Sequence, residues 1–316
     1  MMFFLKSFLF FFCLLNIFFT ESMLGQEIKK DTAYTVYSTF IKEKKKYPKI
    51  TLVKLKEYKN VLVKKNIVYK GLENRNLHLD AFYNMSKLNP AVILLHGGGW
   101  KSGSKEHMQP MAAKIASKGY TCFTVEYRLS DEATYPSGII DVKNAIQFLK
   151  SNAKKYHIDT TKVAVLGCSS GGQMAALVGT TNGHQKLETI KKGMPSASVQ
   201  AIIDIDGILA FKHPESKEGD MAIWWLGGTY EEIPKIWNEA SALYQTDKNT
   251  PPILFINSQY TRFHAGRDDM IKILDEHRIY SEVKNIPNSP HPFWLLHPWF
   301  DKTIDYVIKF LDRTFK

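Results

Sequence analysis

Several short runs in this chain are apolar at nearly every position: AVILLHGGGW (91–100), YTCFTVEYRL (120–129), KVAVLG (162–167), VQAIIDIDG (199–207) and PPILFIN (251–257). A strand that is apolar at every residue, not every second one, must be covered on both faces. Helical stretches lie between these runs: HMQPMAAKIASKG (107–119), IIDVKNAIQFLKSNAKKY (139–156) and GGQMAALVG (171–179). The chain closes with SEVKNI (281–286) and the helical DKTIDYVIKFLDRTF (301–315), and KNVLVKKNIVYK (59–70) reads as strands with turn residues between them. This alternation predicts an α/β protein with a mostly parallel central sheet and helices on both faces. Residues 208–250 interrupt the beat and are expected to form a small insertion after the sixth strand, over the C-terminal edge of the sheet, where such folds hold their sites. At 316 residues, with 44% hydrophobic and 23% charged side chains, the chain has a folding composition. Its length allows two domains, but α/β folds of about 250 residues often form one.

The first 26 residues differ in character. Lys6 is followed by an apolar run from Phe8 to Phe19 with one polar member, Asn16. That is short for a membrane span and suited to a signal-peptide core. The expected layout is a signal peptide over 1–25, a Lys-rich segment over 26–70 and a catalytic domain over 71–316. A secreted or periplasmic location follows, without stable membrane insertion after cleavage. The net charge of +11 is uneven: residues 26–70 hold 13 Lys against Glu27, Asp31, Glu43 and Glu57, which leaves +9 there. This stripe lacks the interleaved Arg of a nucleic-acid site, so no nucleic-acid partner is expected. It reads as a solvated leading segment, or as one attracted to a polyanion such as pectin. Cys13 lies in the apolar leader; Cys122 and Cys168 fall in apolar stretches and read as free buried thiols.

Two glycine-rich motifs carry chemistry. Gly167-Cys168-Ser169-Ser170-Gly171 fits G-x-S-x-G at the end of a strand and the start of a helix. A sharp turn there lifts the Ser169 hydroxyl above the sheet as a nucleophile, and the helix N-terminus favours developing negative charge. His96-Gly97-Gly98-Gly99-Trp100 ends an earlier buried strand. Its glycines let backbone N–H groups approach an acyl oxygen, so the amides of Gly98, Gly99 and Ser170 are the expected oxyanion donors. His96 reads as a structural residue of that loop.

The order HGGGW, EYRLS (126–130), YPSGIIDVKNAIQFLKSNAKKYHID (135–159), GCSSGG (167–172) resembles the α/β-hydrolase esterases of the hormone-sensitive-lipase and bacterial feruloyl/acetyl-esterase type, over roughly residues 85–316. FINSQYTRFHAGRDDM (255–270) and PHPFW (290–294) are similar to the C-terminal part of exported carbohydrate esterases of Bacteroidetes-type polysaccharide degradation systems. The resemblance implies an α/β-hydrolase fold and removal of acetyl or methyl groups from pectin or hemicellulose. It also implies chain order nucleophile, acid, base. His291 in PHPF, after the last strand, is then the expected base, with His297 as runner-up.

The acid is less determined. The family usually carries Asp after the seventh strand, where this chain has Thr261 and His264, and neither orients an imidazolium. Pro287-Asn288-Ser289-Pro290, just before His291, offers no carboxylate. Asp206, ending VQAIIDID, is the first choice; Asp268 and then Asp269, at the start of the next helix, are alternatives that also read as charge complementing a helix N-terminus. Arg262 and Arg267 suit a uronate carboxylate or an ion pair with Asp268 or Asp269. Trp100, Trp224 and Trp225 suit sugar stacking or buried packing, and Asp141 reads as a structural partner of Arg128. No metal-ligand spacing is present, and no cofactor is expected. The reading is a serine esterase acting through an acyl-enzyme on an esterified oligo- or polysaccharide. A general small-acyl carboxylesterase is the alternative. A hydrolase-like glycan-binding protein without catalysis is the reading from another class, and it requires that no carboxylate reach His291.

Overall fold

A computed structural model of the protein describes residues 34–85, 87–189 and 192–316. The leader over 1–25, with Cys13, lies outside the described residues. The elements run α1 (Val36–Lys44), β1 (Thr51–Leu52), β2 (Leu62–Gly71), β3 (Asn76–Tyr83), β4 (Asn89–Leu95), α2 (Gln109–Ala116), β5 (Thr121–Val125), α3 (Ser137–Ser151), α4 (Ala153–Tyr156) and β6 (Ile158–Cys168). They continue α5 (Ser170–Thr180), β7 (Ala201–Ile205), α6 (Asp220–Leu226), α7 (Pro234–Glu239), β8 (Ile253–Asn257), α8 (Arg267–Glu276), β9 (Ser281–Asn285), β10 (Leu296–His297) and α9 (Trp299–Phe315).

Eight strands form one sheet in the order β2-β3-β5-β4-β6-β7-β8-β9. β2 and β3 pair antiparallel, as do β3 and β5, and all later pairs are parallel. The apolar-throughout runs form the parallel centre, and each feeds two cores by alternation. In β4, Ala91, Ile93 and Leu95 face the core shared with α3 and α5, while Val92 and Leu94 face the core shared with α2 and α9. α9 buries Phe300, Ile304, Val307, Phe310, Leu311 and Phe315 at helical spacing. Each such side chain contributes roughly 1.5–3 kcal/mol by leaving water. A mostly parallel sheet between two helical layers is the architecture the α/β-hydrolase resemblance implies. Residues 208–250 hold α6 and α7 between β7 and β8, where an insertion was expected.

The boundary at residue 70, drawn on charge, falls inside β2, which pairs with β3 along its length. The turn expected within KNVLVKKNIVYK is a bulge instead: the register shifts between Lys64 and Ile67, Asn66 takes φ 54°, and its N–H donates to Asp80 Oδ1 at 2.8 Å. Nor is the Lys-rich segment a free leader: Ile50 is buried, and β1 pairs antiparallel with β10. Among its described residues the lysines from Lys42 to Lys65 are exposed, while β1 and β2 pair with neighbouring strands and Ile50, Ile67 and Tyr69 are buried. NLHLDAFY, which carries no continuous apolar run, forms β3. Among the described residues no helix is long and apolar enough to cross a membrane.

Candidate active site

The parallel strands end on one edge of the sheet, and the loops after β4, β6, β7, β8 and β9 converge there. Ser169 follows β6 with φ 56° and ψ −124°, a conformation forced by the abrupt passage from strand to helix α5. The turn needs glycine at 167, because a Cβ there would lie 1.8 Å from the carbonyl oxygen of Gly171. The Ser169 N–H donates to Ile205 O at 2.8 Å, tying the elbow to β7. The adjacent Cys168 is buried, and its thiol is pushed well up by burial and by the nearby Asp204 and Asp206 carboxyls. It stays protonated and does not compete as a nucleophile.

Ser169, His291 and Asp206 form one hydrogen-bonded chain. His291 Nε2 lies 2.8 Å from Ser169 Oγ, and Nδ1 lies 2.9 Å from Asp206 Oδ2. A carboxylate only accepts, so Nδ1–H donates to it and Nε2 is left to accept the serine proton. Asp206 is buried directly after β7, in the left-handed region at φ 52°, which Asp tolerates better than most residues. Its Oδ1 accepts the Ser258 N–H at 2.7 Å, so the residue after β8 holds the carboxylate. A carboxylate thus meets His291 from the loop after β7, and the loop after β8, where the resemblance placed the acid, supplies the amide that holds it. The imidazole is held on two more sides. Phe263 stacks flat on it, with centroids 3.4 Å apart, and Trp294 meets it edge-on at 5.2 Å. Sequence reasoning did not single out Phe263 or Ser258, since neither belongs to a periodic or chemical pattern.

Asp204 lies fully buried in β7, its Oδ1 accepting the Gly207 N–H at 2.8 Å. Burial, and next the Asp206 carboxylate, push its carboxyl well above the usual range. The folded chain therefore keeps a proton that the unfolded chain releases above its ordinary pKa of 3.8. This contribution is full below that pH and is lost as pH rises toward and through the folded pKa. Asp204→Asn has no such proton to lose. Its melting temperature relative to wild type is expected to climb as pH rises from about 4 into the neutral range. A flat difference over that range contradicts a protonated Asp204.

In the glycine loop, Gly98 has φ 134°, and a Cβ there would lie 2.1 Å from Ser102 O. Its carbonyl accepts from Ser102 N at 3.1 Å and from Ser102 Oγ at 2.9 Å. Among the described residues the N–H groups of Gly98, Gly99 and Ser170 donate to no protein acceptor, and Gly99 and Ser170 line the cavity at Ser169. His96 holds the loop: Nδ1 lies 2.9 Å from Gly97 O and the ring stacks on Tyr127 at 4.5 Å.

Several candidates sit elsewhere. Asp268 pairs with Arg267 at 2.7 Å, and Asp269 with Lys272 at 2.6 Å and His213 at 3.0 Å; neither bonds to His291. Arg267 also donates to Asn257 Oδ1 at 2.7 Å, which takes it out of substrate binding and makes it an anchor of the β8–α8 turn. Thr261 is exposed, and His264 is buried with its pKa lowered by burial and Arg267. His297 lies 3.4 Å from Asp301. Asp141 accepts from Arg128 Nε at 2.7 Å and from Lys70 at 2.6 Å, a structural cluster.

The tryptophans divide. Trp225 is 1% exposed, stacks on Trp100 at 5.0 Å and meets Tyr135 edge-on, so it is core and not a sugar platform. Trp225→Ala is expected to lose roughly 3–5 kcal/mol of stability in urea unfolding; a loss under about 1 kcal/mol contradicts this packing role. Trp100 is 6% exposed and donates from Nε1 to Gln173 Oε1 at 3.0 Å, with only a small part of its surface bounding the cavity at Ser169. Trp224 is 45% exposed, with Lys101 Nζ 3.7 Å above its ring.

Two cavities meet at the Ser169–His291 pair. The one at Ser169, about 220 Å³, is bounded by Gly99, Trp100, Ile208, Met221 and Phe263. The one at His291, about 530 Å³, is bounded by Ser38, Lys42 and Glu43 of α1 and by Tyr260 and Arg262. They share Met221, Arg262 and Phe263. The wall from α1 was not legible in the sequence, where the segment stood out only by charge. Among the described residues no group of three His, Cys, Asp or Glu side chains is arranged to hold a metal ion.

Comparison with known proteins gives a family and a fold. Residues 79–273 match the family described as BD-FAE. Esterase LipC of Mycobacterium tuberculosis is 28% identical over 211 residues, which are 65% of this chain and 50% of LipC. The chain thus spans about half the length of that curated relative. Among solved structures, a bifunctional GH43-CE protein of Bacteroides eggerthii superposes with a TM-score of 0.67 at 23% identity, over 80% of this chain and 38% of that one. An acetyl ester-xyloside bifunctional hydrolase from Caldicellulosiruptor lactoaceticus gives 0.65 at 20% identity, over 78% and 95%. At these identities the superpositions speak for the α/β-hydrolase fold.

Proposed function

The chain belongs to the BD-FAE family, and from that premise we propose that it is a serine carboxylic-ester hydrolase acting through an acyl-enzyme on Ser169. The observation that carries this reading is the unbroken hydrogen-bond chain from Ser169 through His291 to Asp206, open to two cavities. His291 takes the Ser169 proton as Oγ attacks the ester carbonyl. The free amides of Gly98, Gly99 and Ser170 receive the oxyanion. His291 then gives its proton to the departing alcohol, and water, activated by the same imidazole, releases the acid. Asp206 holds the ring in the required tautomer throughout.

The substrate is an esterified plant-type polysaccharide or its oligosaccharides. Three things support this. The motif order resembles exported carbohydrate esterases. The superposed structures include an acetyl ester-xyloside hydrolase. The cavity on the His291 side, where the alcohol leaves, is also the larger and more polar of the two. A small acyl group on a large alcohol favours an acetyl ester of a sugar over a methyl ester of a uronate. The apolar leader supports an exported enzyme.

The test is acetate and methanol release from acetylated, methylated pectin by wild type and Ser169→Ala. Acetate that disappears in the variant is the expected result. Methanol release that depends on Ser169 reverses the assignment of the two cavities. If neither appears while an aryl acetate is cleaved, the protein is a general small-acyl carboxylesterase.

A further inference from the structure

We propose that Lys42 and Arg262 form an anion-recognition subsite on the alcohol side of the cleft, which reads a carboxylate on the sugar that carries the ester. The proposal rests on the ester-hydrolase reading and adds to it the charge of the substrate. Both residues bound the same cavity as His291: Lys42 from α1 and Arg262 from the turn after β8. Neither has an ion-pair partner among the described residues. Several other cations near the site are engaged: Arg267 with Asp268, Lys105 with Asp80, Arg128 and Lys70 with Asp141, and Lys46 with the Tyr260 hydroxyl; Lys217, also without such a partner, bounds the neighbouring Ser169 cavity and not this one. Two unpaired cations bound one cavity, and Glu43 is the only acid among its described lining residues, so the described lining is net positive.

Arg262 is also pre-positioned. Its guanidinium lies 4.3 Å over the Phe263 ring, and Phe263 lies flat on His291 at 3.4 Å. The stack Arg262–Phe263–His291 sets the distance between guanidinium and imidazole without using any of the guanidinium's donors. Those donors remain for a planar, bidentate acceptor, which a carboxylate matches. The α1 side of the cavity is anchored too. Thr35 and Ser38 exchange reciprocal bonds at 2.9 and 3.0 Å at the start of α1, and β1 pairs with β10 behind it. A sugar seated with its ester at Ser169 therefore meets Arg262, placed by its stack, and Lys42, carried by the anchored α1, on its leaving side.

The experiment compares kcat/KM for an acetylated oligogalacturonide and for the same oligosaccharide after its carboxyl groups are reduced to alcohols. Wild type is expected to prefer the charged substrate about tenfold at low salt, the scale of two partly exposed charge pairs. The preference is expected to shrink as salt is added. Lys42→Ala and Arg262→Ala each bring the ratio toward one, and Lys42→Glu lowers it further. Lys42 is exposed on α1, so its variants leave the core intact. Equal rates on both substrates, or a ratio that the variants do not change, overturns the subsite alone. No cleavage of either oligosaccharide, with Ser169-dependent cleavage of an aryl acetate retained, overturns the subsite and the glycan reading together.

Discussion

Ser169→Ala is expected to lower kcat on any ester the protein turns over by about 10⁵- to 10⁶-fold, with the fold intact. The size follows from the lack of a substitute nucleophile. Ser170 Oγ is buried with no hydrogen-bond partner and one residue out of register, and the Cys168 thiol is held protonated by burial. What survives is the contribution of the oxyanion amides and of substrate binding, which alone give about 10³–10⁴ over water. The check is steady-state hydrolysis of an aryl acetate, paired with a melting curve. A loss below about 10²-fold with native melting means that another group attacks.

Asp206→Asn is the second large effect, with kcat expected to fall about 10⁴-fold. The carboxamide keeps an oxygen for the Ser258 N–H, so the turn after β8 survives. Its NH₂ then faces His291 Nδ1, and the ring must present a lone pair there. The proton moves to Nε2, 2.8 Å from Ser169 Oγ, where a base is needed. Geometry is kept and the tautomer is wrong. Asp268→Asn is the control: Asp268 is 67% exposed and paired with Arg267, and its loss is expected to change kcat less than about twofold. If the Asp268 variant shows the large loss and the Asp206 variant the small one, the assignment of the acid is reversed.

Parts of this molecule were legible in the sequence for physical reasons, and parts were not. The strands β4 to β8 stood out because a strand covered on both faces is apolar at every position. The antiparallel β3 did not, because NLHLDAFY interleaves Asn76, His78 and Asp80 with its apolar residues. The elbow and the glycine loop are local: their chemistry depends on residues a few positions apart. The acid depends on which strand end faces His291 across the sheet, and spacing along the chain leaves Asp206, Asp268 and Asp269 open. The structure separates them through one amide, that of Ser258, and through the salt bridges that occupy the other two. Trp225 and Arg267 are cases where a residue type suited to ligands is consumed by its neighbours, which no motif reveals. The Lys-rich segment drew attention by its charge, yet its place in the site rests on α1 forming a wall of the cleft.

The most direct test of the account is the mass of the protein quenched in acid during turnover of an activated acetate ester, followed by peptide mapping. A mass increase of one acetyl group is expected, located on the peptide that carries Ser169 and absent from Ser169→Ala. An acetyl group on another residue, or hydrolysis at full rate with no acyl-enzyme trapped and no loss in Ser169→Ala, contradicts it.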